Sequence, residues 1–234
     1  MSKSLDAMAR ALSSYHRRHI SVPRAERIAE AAVRLLQPYA AGGGSLLDVG
    51  CGDGEIARQV ADGLRVASVR GTDVLLRDSC AVDVDRYDGE RLPYGDRSYD
   101  LVMLSDVLHH ARAPELLLRE CLRVTRRALL VKDHFAHGVL SKGLLWLMDI
   151  AGNAEAGVAV TGRYFSPEEW IDMVASAGGR LGKLCWPLRI HDLPWRLVTR
   201  SELQFAAVVL PLNAESQSET EPRTDHAVQE RHSG

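Results

Sequence analysis

The fold of this 234-residue chain is decided by the stretch SLLDVGCGDG, which runs from Ser45 to Gly54. Its first five residues form a short, mostly apolar run, typical of a strand buried on both faces. Glycines then occupy every second position, and apolar residues at helical spacing follow them. Because glycine lacks a Cβ, a ligand can lie directly against such a turn. A strand, a glycine turn and a helix in this order predict a nucleotide site in an open α/β sheet.

The spacing of the glycines separates the possible ligands. Dinucleotide sites read G-x-G-x-x-G, whereas this turn reads G-x-G-x-G and carries Asp48, Asp53 and Glu55. Three carboxylates would repel a pyrophosphate but suit a ligand with an ammonium and a sulfonium group. The sequence DVGCGDG resembles motif I of the class I S-adenosylmethionine-dependent methyltransferases. A glycine turn without a ligand and a dinucleotide site are the alternatives.

Two further segments extend this resemblance. Asp73 ends the second predicted strand, where a carboxylate can accept both hydroxyls of a ribose. The sequence from Asp88 to Asp100 is similar to a family pattern whose first Asp accepts a hydrogen bond from the adenine amino group. The resemblance implies S-adenosyl-L-methionine as cofactor. The residues expected to bind it are Asp48, Gly50, Cys51, Gly52, Gly54, Asp73, Val74, Asp88, Gly89, Ser105 and Asp106.

Histidines follow two neighbouring strands at the predicted crevice. His109 and His110 follow the Ser105-Asp106 pair, which by resemblance meets the methionine end of the cofactor. Asp133 and His134 end the next strand and are expected over the same pocket. We predict that His110, helped by the other three, removes a proton from an oxygen or nitrogen nucleophile. The alternative is that one histidine caps a helix or packs beneath the cofactor.

The remaining chain predicts one α/β domain. Strand patterns near 45–49, 65–72, 81–85, 99–104 and 127–132 alternate with helical patterns and indicate a parallel sheet. Further strands are expected near 181–186 and 202–210. The resemblance implies a Rossmann-like, doubly wound sheet of seven strands, with the last antiparallel and helices on both faces. Residues 1–40 are expected to be helices covering the cofactor site, 41–212 the methyltransferase domain, and 213–234 a polar disordered tail.

Residues 138–165 are expected to form an apolar lid over the cofactor and to contain the acceptor region. Trp146, Met148 and Tyr164 are the candidate substrate contacts, with ordinary core packing as their alternative. The same region looks like a bacterial group of small methyltransferases, but it departs from that pattern at Ile150-Ala151 and at Gly162-Arg163. These departures concern the acceptor, which we expect to be a small, partly apolar metabolite methylated on oxygen or nitrogen.

Composition excludes several classes of function. The formal net charge of −2 does not indicate the basic surface that a nucleic-acid-binding protein usually has. Four dispersed cysteines fit a reducing cytoplasm, and no spacing suggests a metal site. The N-terminus has no signal-peptide pattern, and no apolar run is long enough to span a membrane. We expect a cytoplasmic monomer or homodimer acting on a small molecule. A protein or RNA methyltransferase and a non-catalytic cofactor-binding partner subunit are the alternatives.

Overall fold

The computed structural model describes residues 20–40, 42–153, 162–193 and 195–212. Within this part of the chain, seven strands form one sheet, in the order β3-β2-β1-β4-β5-β7-β6. Its strands are β1 Ser45–Val49, β2 Ser68–Asp73, β3 Val84–Arg86, β4 Tyr99–Ser105, β5 Thr125–His134, β6 Gly179–Cys185 and β7 Gln204–Pro211.

Strands β1 to β5 are parallel, and β7 is antiparallel between β5 and β6. The predicted seven-stranded, mostly parallel sheet is therefore confirmed. Strand order reverses between β1 and β4, which places a crevice outside the carboxyl ends of these strands.

Helices cover both faces of the sheet. They are α1 Val22–Leu36, α2 Glu55–Leu64, α3 Pro114–Val124, α4 Val139–Asn153, α5 Pro167–Ser176 and α6 Trp195–Thr199. Successive strand residues point to opposite faces, so Leu46 packs in the core beneath α1 and α2 while Leu47 packs beneath α3 and α5. This is why the strands read as continuous apolar runs rather than as alternating ones.

Helix ends follow their local chemistry. At α5 the Ser166 side chain accepts a hydrogen bond from Glu169 N–H, and the Glu169 side chain accepts one from Ser166 N–H. A serine followed three residues later by a glutamate is the usual sequence pattern of such a capping box. In contrast, β2 begins three residues after the predicted position, because Arg65 ends α2 in a left-handed conformation with φ 54°.

Two predicted segments lie outside the described residues, namely a helix over 3–19 and the polar tail from 213 onward. Among the helices that are described, none is both long and apolar enough to cross a membrane.

Candidate functional site: the crevice at the strand ends

The glycine turn between β1 and α2 faces this crevice. Gly50, Gly52 and Gly54 all have positive φ, between 59° and 74°. A Cβ on Gly50 would lie 2.5 Å from Val107 Cγ2, and one on Gly54 would lie 2.8 Å from Val82 Cγ2. A Cβ on Gly52 would meet nothing within 4 Å. The outer two glycines thus serve the packing of the chain itself, whereas the space above Gly52 is open to a ligand.

The acidic residues of the turn differ from the sequence expectation in one respect. Asp48 is buried beneath the turn, and its burial, reinforced by Asp73 and Asp53, raises its pKa well above the usual value. Its Oδ1 has no hydrogen-bond partner within the described residues. Asp48 therefore does not present a charge to a bound ligand. The argument from the sequence had counted it among three carboxylates that do.

Asp73 is the carboxylate that does reach the ligand surface. It ends β2, accepts hydrogen bonds from Gly52 N–H (2.8 Å) and Leu75 N–H (3.0 Å), and remains partly exposed. The backbone donors fix the carboxylate beside the open space above Gly52. Its remaining lone pairs can accept two neighbouring hydroxyl groups.

The ends of β2 and β3 bring three of the predicted cofactor residues together. Val74 is 40% exposed, and a Cβ added to Gly89 would lie 3.3 Å from Val74 Cγ1. Asp88 precedes Gly89 and accepts hydrogen bonds from Glu90 N–H and Arg91 N–H, which lower its pKa. An apolar side chain next to an oriented carboxylate suits the face and the amino group of a purine.

Two other predicted residues lie beneath the crevice surface. Cys51 is buried, and its Sγ would be 2.4 Å from a Cβ on Gly71, so its side chain packs between β1 and β2. The Ser105 hydroxyl at the end of β4 is buried and has no hydrogen-bond partner within the described chain.

Asp106 joins three elements at the end of β4. Its backbone is left-handed (φ 58°), and its carboxylate accepts from Lys132 Nζ at 2.5 Å and from Arg24 of α1. Lys132 also donates to Gln204 of β7 at 2.7 Å. Burial raises the pKa of Asp106, but the two cations outweigh it and hold the pKa well below the usual range. This ion cluster ties helix α1 to the crevice.

A second polar cluster surrounds His109. Its Nδ1 lies 2.5 Å from Asp133 Oδ1, and its Nε2 lies 3.4 Å from Asp149 Oδ2 of helix α4. Tyr164 donates its hydroxyl hydrogen to Asp149 and stacks on the His109 ring at 5.7 Å. Burial lowers the pKa of His109, but the two carboxylates outweigh it and raise the pKa to about 10. The imidazole of His109 therefore favours its positively charged form at neutral pH, and that form cannot act as a base.

The other two histidines flank this pair. His134 is buried, and burial together with Lys132 lowers its pKa. Its Nδ1 lies 3.4 Å from Asp133 and 3.5 Å from Asp106. His110 is partly exposed, with its ring centroid 4.0 Å from that of His109. Of the three, His110 is the one whose ring an acceptor can approach most readily.

The predicted substrate contacts occupy different environments. Tyr164 is buried in a small apolar cluster with Ala136, Leu145 and Leu203. Trp146 on helix α4 is 49% exposed, and Met148 is partly buried. Only Tyr164 is thus brought into contact with the histidine cluster.

Comparison with known proteins agrees with this geometry. Residues 47–128 match the family model described as "Methyltransferase domain". This match spans about a third of the chain and supports a class I S-adenosylmethionine-dependent methyltransferase. The match contains the glycine turn, Asp73, Asp88 and His110. No curated protein sequence matches the chain significantly.

Solved structures share the methyltransferase fold at low sequence identity. A putative methyltransferase of Haloferax volcanii, solved in complex with the Trm112 methyltransferase activator, has a TM-score of 0.64 at 15% identity, covering 86% of this chain and 93% of that chain. A putative sarcosine dimethylglycine methyltransferase from Galdieria sulphuraria has a TM-score of 0.59 at 16% identity, with 80% and 86% covered. An S-adenosylmethionine-dependent methyltransferase from Mesorhizobium loti has a TM-score of 0.55 at 15% identity, with 78% and 97% covered.

The match to a methyltransferase domain supports S-adenosylmethionine as the cofactor. The crevice fits that molecule on three observations: the open space above Gly52, the fixed carboxylate of Asp73, and the buried Ser105 hydroxyl, which has no partner within the described residues. Which atoms of the cofactor each residue contacts remains a prediction.

Sequence reasoning did not single out two residues that complete the polar clusters of this methyltransferase. Asp149 contacts His109, and Arg24 contacts Asp106. Asp149 had a usable signal, because it interrupts the otherwise apolar stretch from 144 to 150. A carboxylate in such a stretch is seldom buried without a partner. Arg24 had none, since a charged residue in the first turns of a helix is ordinary.

Proposed function

We propose that this methyltransferase transfers its methyl group to the oxygen or nitrogen of a small, partly apolar metabolite. The observation that carries the proposal is the position of His110. It lies partly exposed above a buried, charged histidine, at the mouth of a crevice bordered by the apolar helix α4. In this proposal, His110 is the proton acceptor at the centre of the acceptor site.

The cofactor is proposed to lie along the crevice in one direction. Its methionine end meets Gly50, Ser105 and Asp106, its ribose hydroxyls donate to Asp73, and its adenine lies against Val74 and Gly89, with the amino group on Asp88. Gly52 and Gly54 shape the turn, while Asp48 and Cys51 support it from below. This direction brings the sulfonium group towards His110.

S-adenosylmethionine held in the crevice would supply its methyl group to a lone pair of the acceptor, and the electron pair of the broken bond would stay on sulfur. His110 takes the proton that the acceptor loses. Alignment supplies much of the remaining rate enhancement, because both reactants are held in one site. Asp133 and His134 position His109, which in turn supports the His110 ring.

Trp146, Met148 and Tyr164 are proposed to bound the acceptor's apolar part. Tyr164 fixes the inner wall through its hydrogen bond to Asp149, and the two helix residues form the outer wall. We further propose that residues 1–40 cover the cofactor site, that residues 138–165 act as its lid, and that the enzyme works in the cytoplasm as a monomer or homodimer.

The function is tested with the full chain, methyl-labelled S-adenosylmethionine and an extract of the source organism. The products are separated into small-molecule, protein and nucleic-acid fractions. We expect the label in the small-molecule fraction, and none of it with a Gly52→Val variant. Label confined to protein or nucleic acid, or no transfer from active cofactor, would contradict the proposal.

The ribose contact is tested at Asp73. Asp73→Ala removes a charged acceptor from two buried ligand hydroxyls, so we expect a loss of about 1–3 kcal/mol in S-adenosylhomocysteine affinity. Isothermal titration calorimetry measures this loss. Asp53→Ala is the matched control, because Asp53 is an exposed carboxylate of the same turn. Equal affinities of the two variants would show that Asp73 does not hold the ribose.

A further inference from the structure

We propose that His109, His110 and Asp149 bind a divalent transition-metal cation at the mouth of the crevice. One ligand atom from each of the three residues lies within 4.8 Å of the others. The residues come from two segments far apart in sequence, the turn after β4 and helix α4. No spacing in the sequence indicates this group, and it exists only because α4 folds back over the strand ends.

The geometry of two of these ligands matches a bound ion. His109 Nε2 and Asp149 Oδ2 are 3.4 Å apart. Two ligands at about 2.1 Å from a tetrahedral ion lie about 3.4 Å from each other. An ion can therefore sit between these atoms without displacement of either side chain. It would replace the Nε2 proton of His109, which is released to solvent. His110 supplies a third ligand from the exposed side, where the remaining coordination positions face the crevice.

The groups around these ligands orient them in the way that groups around a metal site usually do. A ligating histidine nearly always donates its other ring N–H to a carboxylate or carbonyl group. His109 Nδ1 lies 2.5 Å from Asp133 Oδ1, and Tyr164 donates a hydrogen bond to Asp149. The ring of His109 and the carboxylate of Asp149 are thus both oriented before any ion arrives.

A second group of possible ligands, His109, Asp133 and His134, is a weaker candidate. Its closest pair, His109 Nδ1 and Asp133 Oδ1, is only 2.5 Å apart, which is a hydrogen-bond distance. Two ligands that close would subtend an angle of only about 73° at an ion 2.1 Å from each, far below the tetrahedral angle. All three residues are also buried, so no substrate could reach an ion there. Asp133 therefore supports the site rather than binding the ion.

The charge and type of the donors indicate the class of ion. Two carboxylates, Asp133 and Asp149, face the single ring of His109, and a divalent cation would balance both. Two imidazole nitrogens and one carboxylate oxygen suit Zn²⁺, Fe²⁺ or Co²⁺, whereas Mg²⁺ and Ca²⁺ prefer oxygen ligands. Zn²⁺ is the ion we take as the probe.

The role of the ion deepens the proposed function and rests on it. An acceptor oxygen or nitrogen that binds in an open coordination position would lose its proton more easily, because the ion stabilises the resulting anion. In the metal-bound enzyme, His110 would hold the ion, the ion would activate the acceptor, and the acceptor's proton would pass to solvent water. The role of His110 as the base would then apply to the enzyme without the ion. The binding of the ion itself can be tested without any methyl transfer.

The test uses the full chain after treatment with a chelator. Zn²⁺ binding is measured by equilibrium dialysis, and Co²⁺ is added separately to record its visible spectrum. We expect one equivalent of Zn²⁺, with affinity lowered at least about tenfold in Asp149→Asn and in His110→Ala. His137→Ala is the matched histidine control, since His137 is exposed and bonds to Glu202 O outside the cluster. Binding of S-adenosylhomocysteine verifies that each variant is folded.

Three outcomes would overturn the proposal: no Zn²⁺ bound by the wild type, equal Zn²⁺ affinity in both variants and wild type, or a thiolate-to-cobalt band, which would assign the ion to a cysteine.

The failure of the proposed function can be distinguished from the failure of the metal site. If Zn²⁺ binds as expected but no small molecule is labelled, the metal site stands and the acceptor class is wrong. If the fully metal-free enzyme methylates a small molecule at the full rate, the ion's role in activating the acceptor is wrong, while the function stands and the metal site is decided by the dialysis alone.

Discussion

Gly52→Val is expected to abolish S-adenosylhomocysteine binding. The wild-type glycine has φ 59° and open space where a side chain would be. A valine there would occupy the volume that the cofactor needs, and the left-handed backbone adds about 1–3 kcal/mol of strain. Calorimetry on the purified variant should give no measurable heat of binding.

The effect of left-handed backbone strain alone is measured with a control variant, Gly43→Val. Gly43 also has positive φ (80°) and nothing within 4 Å of an added Cβ, but it lies before β1, at the opposite end of that strand from the crevice. Its valine variant should be destabilised without loss of cofactor affinity. If Gly52→Val bound the ligand within about threefold of wild type, a difference under about 1 kcal/mol, the cofactor could not lie over this turn.

His110→Ala is expected to lower turnover about 100- to 10,000-fold, the usual effect of removing a general base. S-adenosylhomocysteine affinity should change little, because the imidazole faces the acceptor rather than the adenosine. Turnover is measured with the small acceptor that the labelling experiment identifies, at saturating cofactor. His137→Ala, which removes an exposed histidine outside the cluster, should retain wild-type turnover.

The other histidines sharpen this prediction. His109→Ala and His134→Ala remove buried members of the same cluster and should reduce turnover through the orientation of His110. Unchanged turnover in all three single variants would rule out a role for histidine in catalysis. A His110→Ala variant with weakened cofactor binding would instead show that this ring packs beneath the methionine end.

Much of the fold is local in origin and could be predicted from the sequence. The run Ser45–Val49 is continuous and apolar because β1 is the centre of the parallel sheet, and the structure places the strand at those residues. The capping box of helix α5 involves only residues close together in sequence, from Ser166 to Glu169. The antiparallel direction of the last strand was implied by the family resemblance, since residue spacing does not indicate which strands pair.

The crevice was only partly predictable. The glycine turn and Asp73 are read directly from motif spacing, but the burial of Asp48 depends on how β1 is covered by its neighbours. The contact between His109 and Asp149 joins residues 40 positions apart, and it requires helix α4 to pack over the strand ends. The sequence around Asp149 indicates a carboxylate with a partner, but tertiary packing decides which partner it meets.

The most direct test of this account is a crystal structure of the full chain with S-adenosylhomocysteine. We expect the ligand over Gly52, with both ribose hydroxyls within hydrogen-bond distance of Asp73 and the sulfur atom turned towards His110. A ligand bound elsewhere, or one whose sulfur atom faces away from His110, would contradict the proposed site.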